Sequence, residues 1–167
     1  MKANIFLIGF MGAGKSTVAK KLQKCLDMQL VEMDERIVQE QGMSINEIFE
    51  QYGEAHFRDI ESRLVEDICA QGASIVSCGG GVVVRPKNVE NMKAHGKIVF
   101  LTATPQTIFD RVKHGTDRPI LNGNMNVEYI AGLMEKRRAS YEAAADIWVS
   151  TDGKSIEEIC DEIIRDI

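Results

Sequence analysis

The segment Gly9-Phe10-Met11-Gly12-Ala13-Gly14-Lys15-Ser16 constrains this chain more than any other. It fits the pattern G-x-x-x-x-G-K-[ST] and has the flanks that the pattern requires. Ile5-Phe6-Leu7-Ile8 before it is a short apolar run of strand type. Behind it, Val18, Ala19, Leu22, Cys25 and Leu26 recur at helical spacing. A strand, a glycine-rich turn and a helix N-terminus direct backbone N–H groups, and the positive end of the helix dipole, at one point. Gly12, Ala13, Gly14, Lys15, Ser16 and Thr17 are therefore expected to cradle phosphate. Lys15 adds a mobile cation for the β- and γ-phosphates, and the Ser16 hydroxyl is a direct ligand for Mg²⁺. A glycine-rich connection used only for close packing would leave Lys-Ser in register, and both flanks, without a reason. The pattern implies a site for a nucleoside triphosphate.

With 167 residues the chain has room for one domain with a real core. A net charge of −5 argues against a nucleic-acid footprint, which shows as a basic face. The local cluster Lys136-Arg137-Arg138 is too short to form one. No apolar run approaches the ~20 residues of a membrane helix, and the first strand begins too early for a signal peptide. Cys25, Cys69, Cys78 and Cys160 show neither C-x-x-C pairing nor a histidine at metal-ligand spacing, and read as reduced, buried thiols. His56, His95 and His114 are dispersed and form no triad. A monomeric cytoplasmic protein, with no nucleic-acid or membrane partner, is the expectation.

Strand candidates alternate with helical patterns, as in a parallel α/β sheet. They are residues 3–8, Gln29–Asp34, Ser74–Cys78, Lys97–Leu101 and Ile147–Ser150. Ser44-Ile45-Asn46-Glu47 and Ser155-Ile156-Glu157-Glu158 are capping boxes, and Pro105 and Pro86 stand at first helical positions. Two segments break the rhythm. Between strands two and three, an insertion of about 35–72 carries two helices, Ser44–Tyr52 and Glu54–Ala70. Further on, His114–Asn126 holds two glycines, three asparagines and a proline, which suits a mobile lid. In a phosphoryl-transfer enzyme the insertion would hold the acceptor and the lid would close over the nucleotide.

Four groups of residues carry candidate chemistry. Asp34, at the end of the second predicted strand, should lie near the phosphate loop, where a carboxylate orients an attacking hydroxyl and accepts its proton. A helix cap for Glu35 onward is the other reading. Gly79-Gly80-Gly81 follows the third strand, and three glycines in a row make sense where something must approach the backbone closely. Arg137 falls on the stripe of Ile130, Leu133, Met134 and Tyr141, where it either grips a carboxylate with its guanidinium fork or reaches past the edge to solvent. Arg58 beside the stripe of Phe57, Ile60 and Leu64, and Arg118 in the lid, would each read alone as surface arginines.

In order along the chain stand GFMGAGKST, Asp34, Phe57-Arg58 followed by Glu61, Ser77-Cys78-Gly79-Gly80-Gly81, Arg118-Pro119-Ile120-Leu121, and Arg137 with Tyr141 four residues on. This set resembles the shikimate kinases, P-loop small-molecule kinases of aromatic amino-acid biosynthesis, over nearly the whole chain. The resemblance implies a P-loop NTPase-type α/β fold like that of nucleoside monophosphate kinases: a five-stranded parallel sheet of order 2-3-1-4-5 with helices on both faces. It implies ATP and Mg²⁺ as cofactors, and transfer to the 3-hydroxyl of shikimate. By that resemblance Asp34 binds the acceptor hydroxyls and is the candidate base. Arg58 and Arg137 hold the acceptor carboxylate, and Gly79, Gly80 and Gly81 contact the ring substituents. Lys15 and Arg118 stabilise the transferring phosphoryl group, and Arg111 flanks the adenine. Ser16 ligates Mg²⁺ directly, with Glu32 and Ser77 in its outer shell. One departure is visible: the family's Asp-x-Asp is Glu32-Met33-Asp34 here, one methylene longer at the first acid. Charge is retained, so altered Mg²⁺ dependence rather than lost activity is expected. A gluconate-type kinase is the alternative, since it too needs arginines for a carboxylate. A non-catalytic nucleotide-binding regulator would have no use for Asp34 and the arginines together.

Overall fold

Alternation along the first strand sets the architecture. In β1 (Asn4–Ile8), Ile5 and Leu7 enter one core while Phe6 and Ile8 enter another, because successive strand side chains point to opposite faces. Such a strand belongs in the middle of a sheet covered by helices on both sides. The computed structural model, which describes residues 3–113 and 126–167, places β1 there. With β2 (Gln29–Glu32), β3 (Ser74–Ser77), β4 (Gly96–Thr102) and β5 (Ile147–Ser150), it forms a parallel sheet of order β2-β3-β1-β4-β5. Ile5 is flanked by Ile75 and Lys97, and Leu101 by Val149, so all five carboxyl ends emerge along one edge. This is the expected order.

On the Ile5 and Leu7 face lie α1 (Lys15–Leu26), α6 (Pro105–Val112) and α8 (Ile156–Asp166), which bury Val18, Leu22, Ile108, Ile159 and Ile163. On the other, α4 (Glu54–Gln71) and α5 (Pro86–His95) set Leu64, Ile68 and Met92 against Phe6, Val76 and Ile98. The starts of α3 (Ile45–Tyr52), α6 and α8 follow the predicted caps: Ser44, Thr104 and Ser155 accept from the N–H groups of Glu47, Thr107 and Glu158. Losing such a cap typically costs about 1 kcal/mol. Asn126 caps α7 (Val127–Ala144) in the same way, accepting from Tyr129 at 2.7 Å.

Four expectations are corrected. β2 ends at Glu32, and a further helix, α2 (Met33–Gln41), follows at once, so the insertion carries three helices. Met33 reads as the end of an apolar strand, but Met33 and Ile37 are buried at helical spacing, and Asp34 and Glu35 favour the first turn through the helix dipole. The apolar stripe of α7 does not face one core. Ile130, Leu133 and Met134 pack in the α1–α6–α8 layer, whereas Tyr141 and Ala144 pack in the α4–α5 layer. Cys25 is exposed while Cys69, Cys78 and Cys160 are buried, since α1 turns only one stripe inward. Arg58 is buried rather than superficial, at 6% exposure. The predicted lid lies outside the described residues except for Asn126.

Candidate active site

A cleft of about 550 Å³ opens where the carboxyl ends of β1, β2 and β3 meet. Ligands of open α/β sheets bind at such an edge. Gly12, Gly14, Lys15, Ser16 and Thr17 form one wall. Gly12 has φ +80°, and a Cβ there would lie 2.7 Å from Val112, so backbone conformation and packing both require glycine. Gly14, at φ +97°, stands in the N-cap position of α1 and leaves the helix N-terminus bare toward the cleft. Ala13 does not line the cleft. Its side chain is buried in the core and its N–H donates to Phe10 O at 3.1 Å, so it supports the loop from behind.

Lys15 folds over its own loop, donating from Nζ to the carbonyls of Gly9 (2.6 Å) and Phe10 (3.2 Å). Ser16 Oγ donates to Glu32 Oε2 at 2.7 Å and lies 3.3 Å from Ser77 Oγ. The longer side chain of Glu32 thus reaches the hydroxyl at the head of α1. Its other oxygen, Oε1, is buried with no hydrogen-bond partner among the described residues. Arg111 lines the same wall and donates from Nη1 to Gly12 O (3.0 Å) and Thr151 Oγ1 (3.3 Å), joining loop, α6 and the end of β5. Asp152 accepts from the N–H of Thr104 at 3.1 Å.

The facing wall is built from buried charge. Arg58 projects from α4 and donates to Glu61 Oε1 at 3.0 Å and to Glu54 Oε1 at 3.2 Å. Glu61 is 1% exposed, and burial pushes its carboxyl above the usual range, with the Arg58 guanidinium opposing that shift. Arg58 Nε and Glu61 Oε2 are buried without a hydrogen-bond partner among the described residues. Two glycines of the triplet, Gly79 and Gly81, are explained here by the protein's own side chains. A Cβ at Gly79 would sit 2.7 Å from Glu61 Oε2 and 3.1 Å from Asp34 Oδ1, and one at Gly81 would collide with the Arg58 guanidinium. Asp34 itself lies in the first turn of α2, past the N-cap residue Glu32, with its carboxylate on the cleft.

Arg137 enters from α7 at the point where that helix passes from one core to the other. Its guanidinium stands over the Phe10 ring, 5.9 Å from the centroid. Tyr141, one turn on, donates its hydroxyl to Gly80 O and also bonds Arg137. Burial pushes the Tyr141 phenol up to about 12, so it stays a protonated donor through neutral pH.

Of the residues singled out in the sequence, Gly12, Gly14, Lys15, Ser16, Thr17, Asp34, Arg58, Arg111, Arg137 and Gly79–Gly81 line one cleft. Arg118 lies outside the described residues. Glu61, Tyr141 and Phe10, given no site role from the sequence, touch Arg58, Gly80 and Arg137 respectively. A signal for Glu61 existed: it stands at i+4 from Phe57 and i−3 from Leu64, so a carboxylate fell on the buried stripe of α4.

A model of the shikimate kinase family matches residues 11–167. A shikimate kinase from Dehalococcoides mccartyi is 44% identical over 163 residues, covering 98% of this chain and 92% of that protein. A solved shikimate kinase from Acinetobacter baumannii in complex with shikimate superposes with a TM-score of 0.94 at 27% identity, over 99% of this chain and 92% of that one. The Aquifex aeolicus shikimate kinase gives 0.85 at 35% identity, over 98% and 95%. A gluconokinase from Sinorhizobium meliloti reaches 0.61 at 18% identity, and so shares the fold alone. Phosphate loop, buried arginine wall and whole-chain likeness agree: the chain belongs to the shikimate kinase family, and it is a kinase.

Proposed function

We propose that this enzyme transfers the γ-phosphoryl group of ATP to the 3-hydroxyl of shikimate, giving shikimate 3-phosphate and ADP. The observation that carries the reading is the facing of two walls in one cleft. One is a phosphate loop; the other presents two guanidiniums, Arg58 and Arg137, for a carboxylate. Gluconate would need the same arginines but has less use for a wall pressed flat against Gly79–Gly81, which fits a ring.

In this reading the acceptor carboxylate binds Arg137 and Arg58 bidentately, and Arg58 is held in position by Glu61 and Glu54. Asp34 accepts a hydrogen bond from the reacting hydroxyl. As the new O–P bond forms and the bond to the β-phosphate oxygen breaks, that proton passes to the Asp34 carboxylate. Lys15 leaves the Gly9 and Phe10 carbonyls to follow the charge of the β- and γ-phosphates, and Arg118 joins it. Gly12, Gly14 and Thr17 offer backbone donors, and Arg111 flanks the base. For Mg²⁺ the donor set fits: Ser16 Oγ, Glu32 and Ser77 are hard oxygen ligands, and Glu32 Oε1 is buried with no hydrogen-bond partner among the described residues. Ser16 would hold the ion directly and Glu32 and Ser77 through water, where a bound ion would supply neutralisation of phosphate charge. Residues 1–167 act as one kinase domain, with the insertion at about 35–72 as the acceptor module, 114–126 as the lid and the monomer as the working unit.

The test is ADP release with ATP and Mg²⁺ against shikimate, gluconate, nucleoside monophosphates and no acceptor. Release that depends on shikimate is expected. A stronger response to gluconate, or release indifferent to any acceptor, would sink the assignment.

A further inference from the structure

Behind the phosphate loop lies a second cavity of about 410 Å³, between α7 and the ends of β4 and β5. Its size falls within the ~300–1,000 Å³ range of small-molecule sites. The walls are apolar and aromatic, with Phe10, Phe100, Tyr141, Trp148, Met134 and Ile108 among them. Trp148 meets Phe100 edge-on at 5.9 Å and remains 54% exposed, a large ring held at a wet mouth. Three charges stand at the rim. Arg138 is shared between Glu142 at 3.0 Å and Glu135 at 3.6 Å, so two carboxylates face one guanidinium and the rim is net negative. Ring faces attract cations as well as other rings.

Two residues of this cavity's wall touch residues of the catalytic cleft. Phe10 walls the second cavity and carries the Arg137 guanidinium above its ring. Tyr141 walls the second cavity and sends its hydroxyl to Gly80 O in the catalytic cleft. Nothing in the proposed phosphoryl transfer uses the second cavity. We propose that it binds a small aromatic molecule bearing one positive charge, and that its occupancy changes acceptor affinity through Phe10 and Tyr141. The ring of such a ligand displaces water from the apolar walls, and its cation meets Glu142 and Glu135 at the mouth. Because Phe10 and Tyr141 bear on Arg137 and Gly80, any shift in their packing is felt where the acceptor binds. Linkage then requires that acceptor and ligand change each other's affinity by one common factor.

Trp148 is the single tryptophan of the chain, so its emission reports on this cavity alone. Phenethylamine is the probe, titrated into the intact enzyme with excitation at a wavelength it does not absorb. A saturable change in emission is expected, with half-saturation at about 1 mM or below for a ligand of this size. Phenylacetate, of the same shape but opposite charge, should bind about 2- to 5-fold more weakly, the scale of electrostatics between exposed charges. Glu142→Gln with Glu135→Gln should reverse that preference, because Arg138 is then left uncompensated at the rim, and Ala131→Phe, which fills the cavity, should abolish the signal in a variant of unchanged circular dichroism. Shikimate should shift the phenethylamine half-saturation, and phenethylamine the shikimate affinity, by the same factor of about two or more. The emission arm stands apart from the proposed acceptor: it holds even if shikimate is not the substrate. A linear response to 10-fold above about 1 mM, an undiminished signal in Ala131→Phe, or equal binding of phenylacetate would overturn the site. A saturable signal with no mutual effect on shikimate, in an enzyme shown to phosphorylate it, would overturn the coupling.

Discussion

The two walls of the cleft are made from different materials. The phosphate wall is main chain: a run of eight residues, Gly9–Ser16, whose glycines bend the backbone so that N–H groups and a helix end face inward. The acceptor wall is side chain: Arg58 and Glu61 from α4, Asp34 from α2, Arg137 and Tyr141 from α7, all pressed on the bare backbone of Gly79–Gly81. A main-chain site is local and carries its own scaffold, so it appears in the sequence as one word. A side-chain site needs several helices to arrive together, and its buried charges must be balanced before any ligand comes. Arg58 and Arg137 show the contrast within the second wall. The first is locked into an ion pair inside the fold; the second is half-exposed and rests on a ring.

That difference is where the comparison can be broken. Arg58→Ala carries the largest expected effect, because it leaves Glu61 buried beside an empty space. Stability should fall by about 3–5 kcal/mol in urea titrations, and acceptor binding should be lost with it. A variant as stable as wild type would show that Arg58 is a ligand group and no part of the scaffold. Arg137→Ala should act the other way round. The loss of a bidentate, partly desolvated contact should raise KM for shikimate about thirty- to several-thousand-fold, equivalent to ~2–5 kcal/mol, with nucleotide binding nearly intact. Its melting temperature should change little, and a large drop with unchanged acceptor affinity would remove Arg137 from the site. Asp34→Asn keeps shape and polarity but removes the base, so kcat should drop by ~10²-fold or more while both KM values stay close to normal. Near wild-type kcat would reduce Asp34 to a favourable charge in the first turn of α2.

The smallest effect is the titration of Glu61. Its folded pKa lies above the ordinary 4.5, so the proton is held more tightly in the folded state. Its contribution to stability is therefore full below about pH 4.5 and is lost as pH rises through the folded value. The stability of wild type relative to Glu61→Gln should fall across that window. A difference that is flat with pH, measured by chemical denaturation, would mean that Arg58 offsets the burial of this carboxylate completely.

Legibility followed the same division. The capped starts of α3, α6 and α8 and the glycine-rich loop were readable, since each rests on neighbours in the chain, whereas the sheet order, which pairs strands far apart, was expected only from the family resemblance. Asp34 was placed at a strand end rather than in a helix because Leu30-Val31-Glu32-Met33 satisfies a strand pattern up to the residue where the backbone turns. Arg58 looked superficial because it lies beside the apolar stripe of α4, and the helix alone does not show that the glycine loop after β3 closes over its guanidinium. For the same reason the triplet Gly79–Gly81 was legible as a place of close approach, but not as one approached by the protein itself.

What the sequence by itself determined was the identity of the nucleotide half and the order of elements, because hydrogen bonding and apolar periodicity act over a few residues at a time. What only the tertiary structure decided was the balance of charge in the acceptor half. Whether an arginine is a ligand group or part of the scaffold depends on what surrounds it, and the surroundings of Arg58 and Arg137 come from segments as far apart along the chain as Phe10 and Arg137. Desolvation is set by the whole fold, so the roles of buried charges become visible only once the helices are packed.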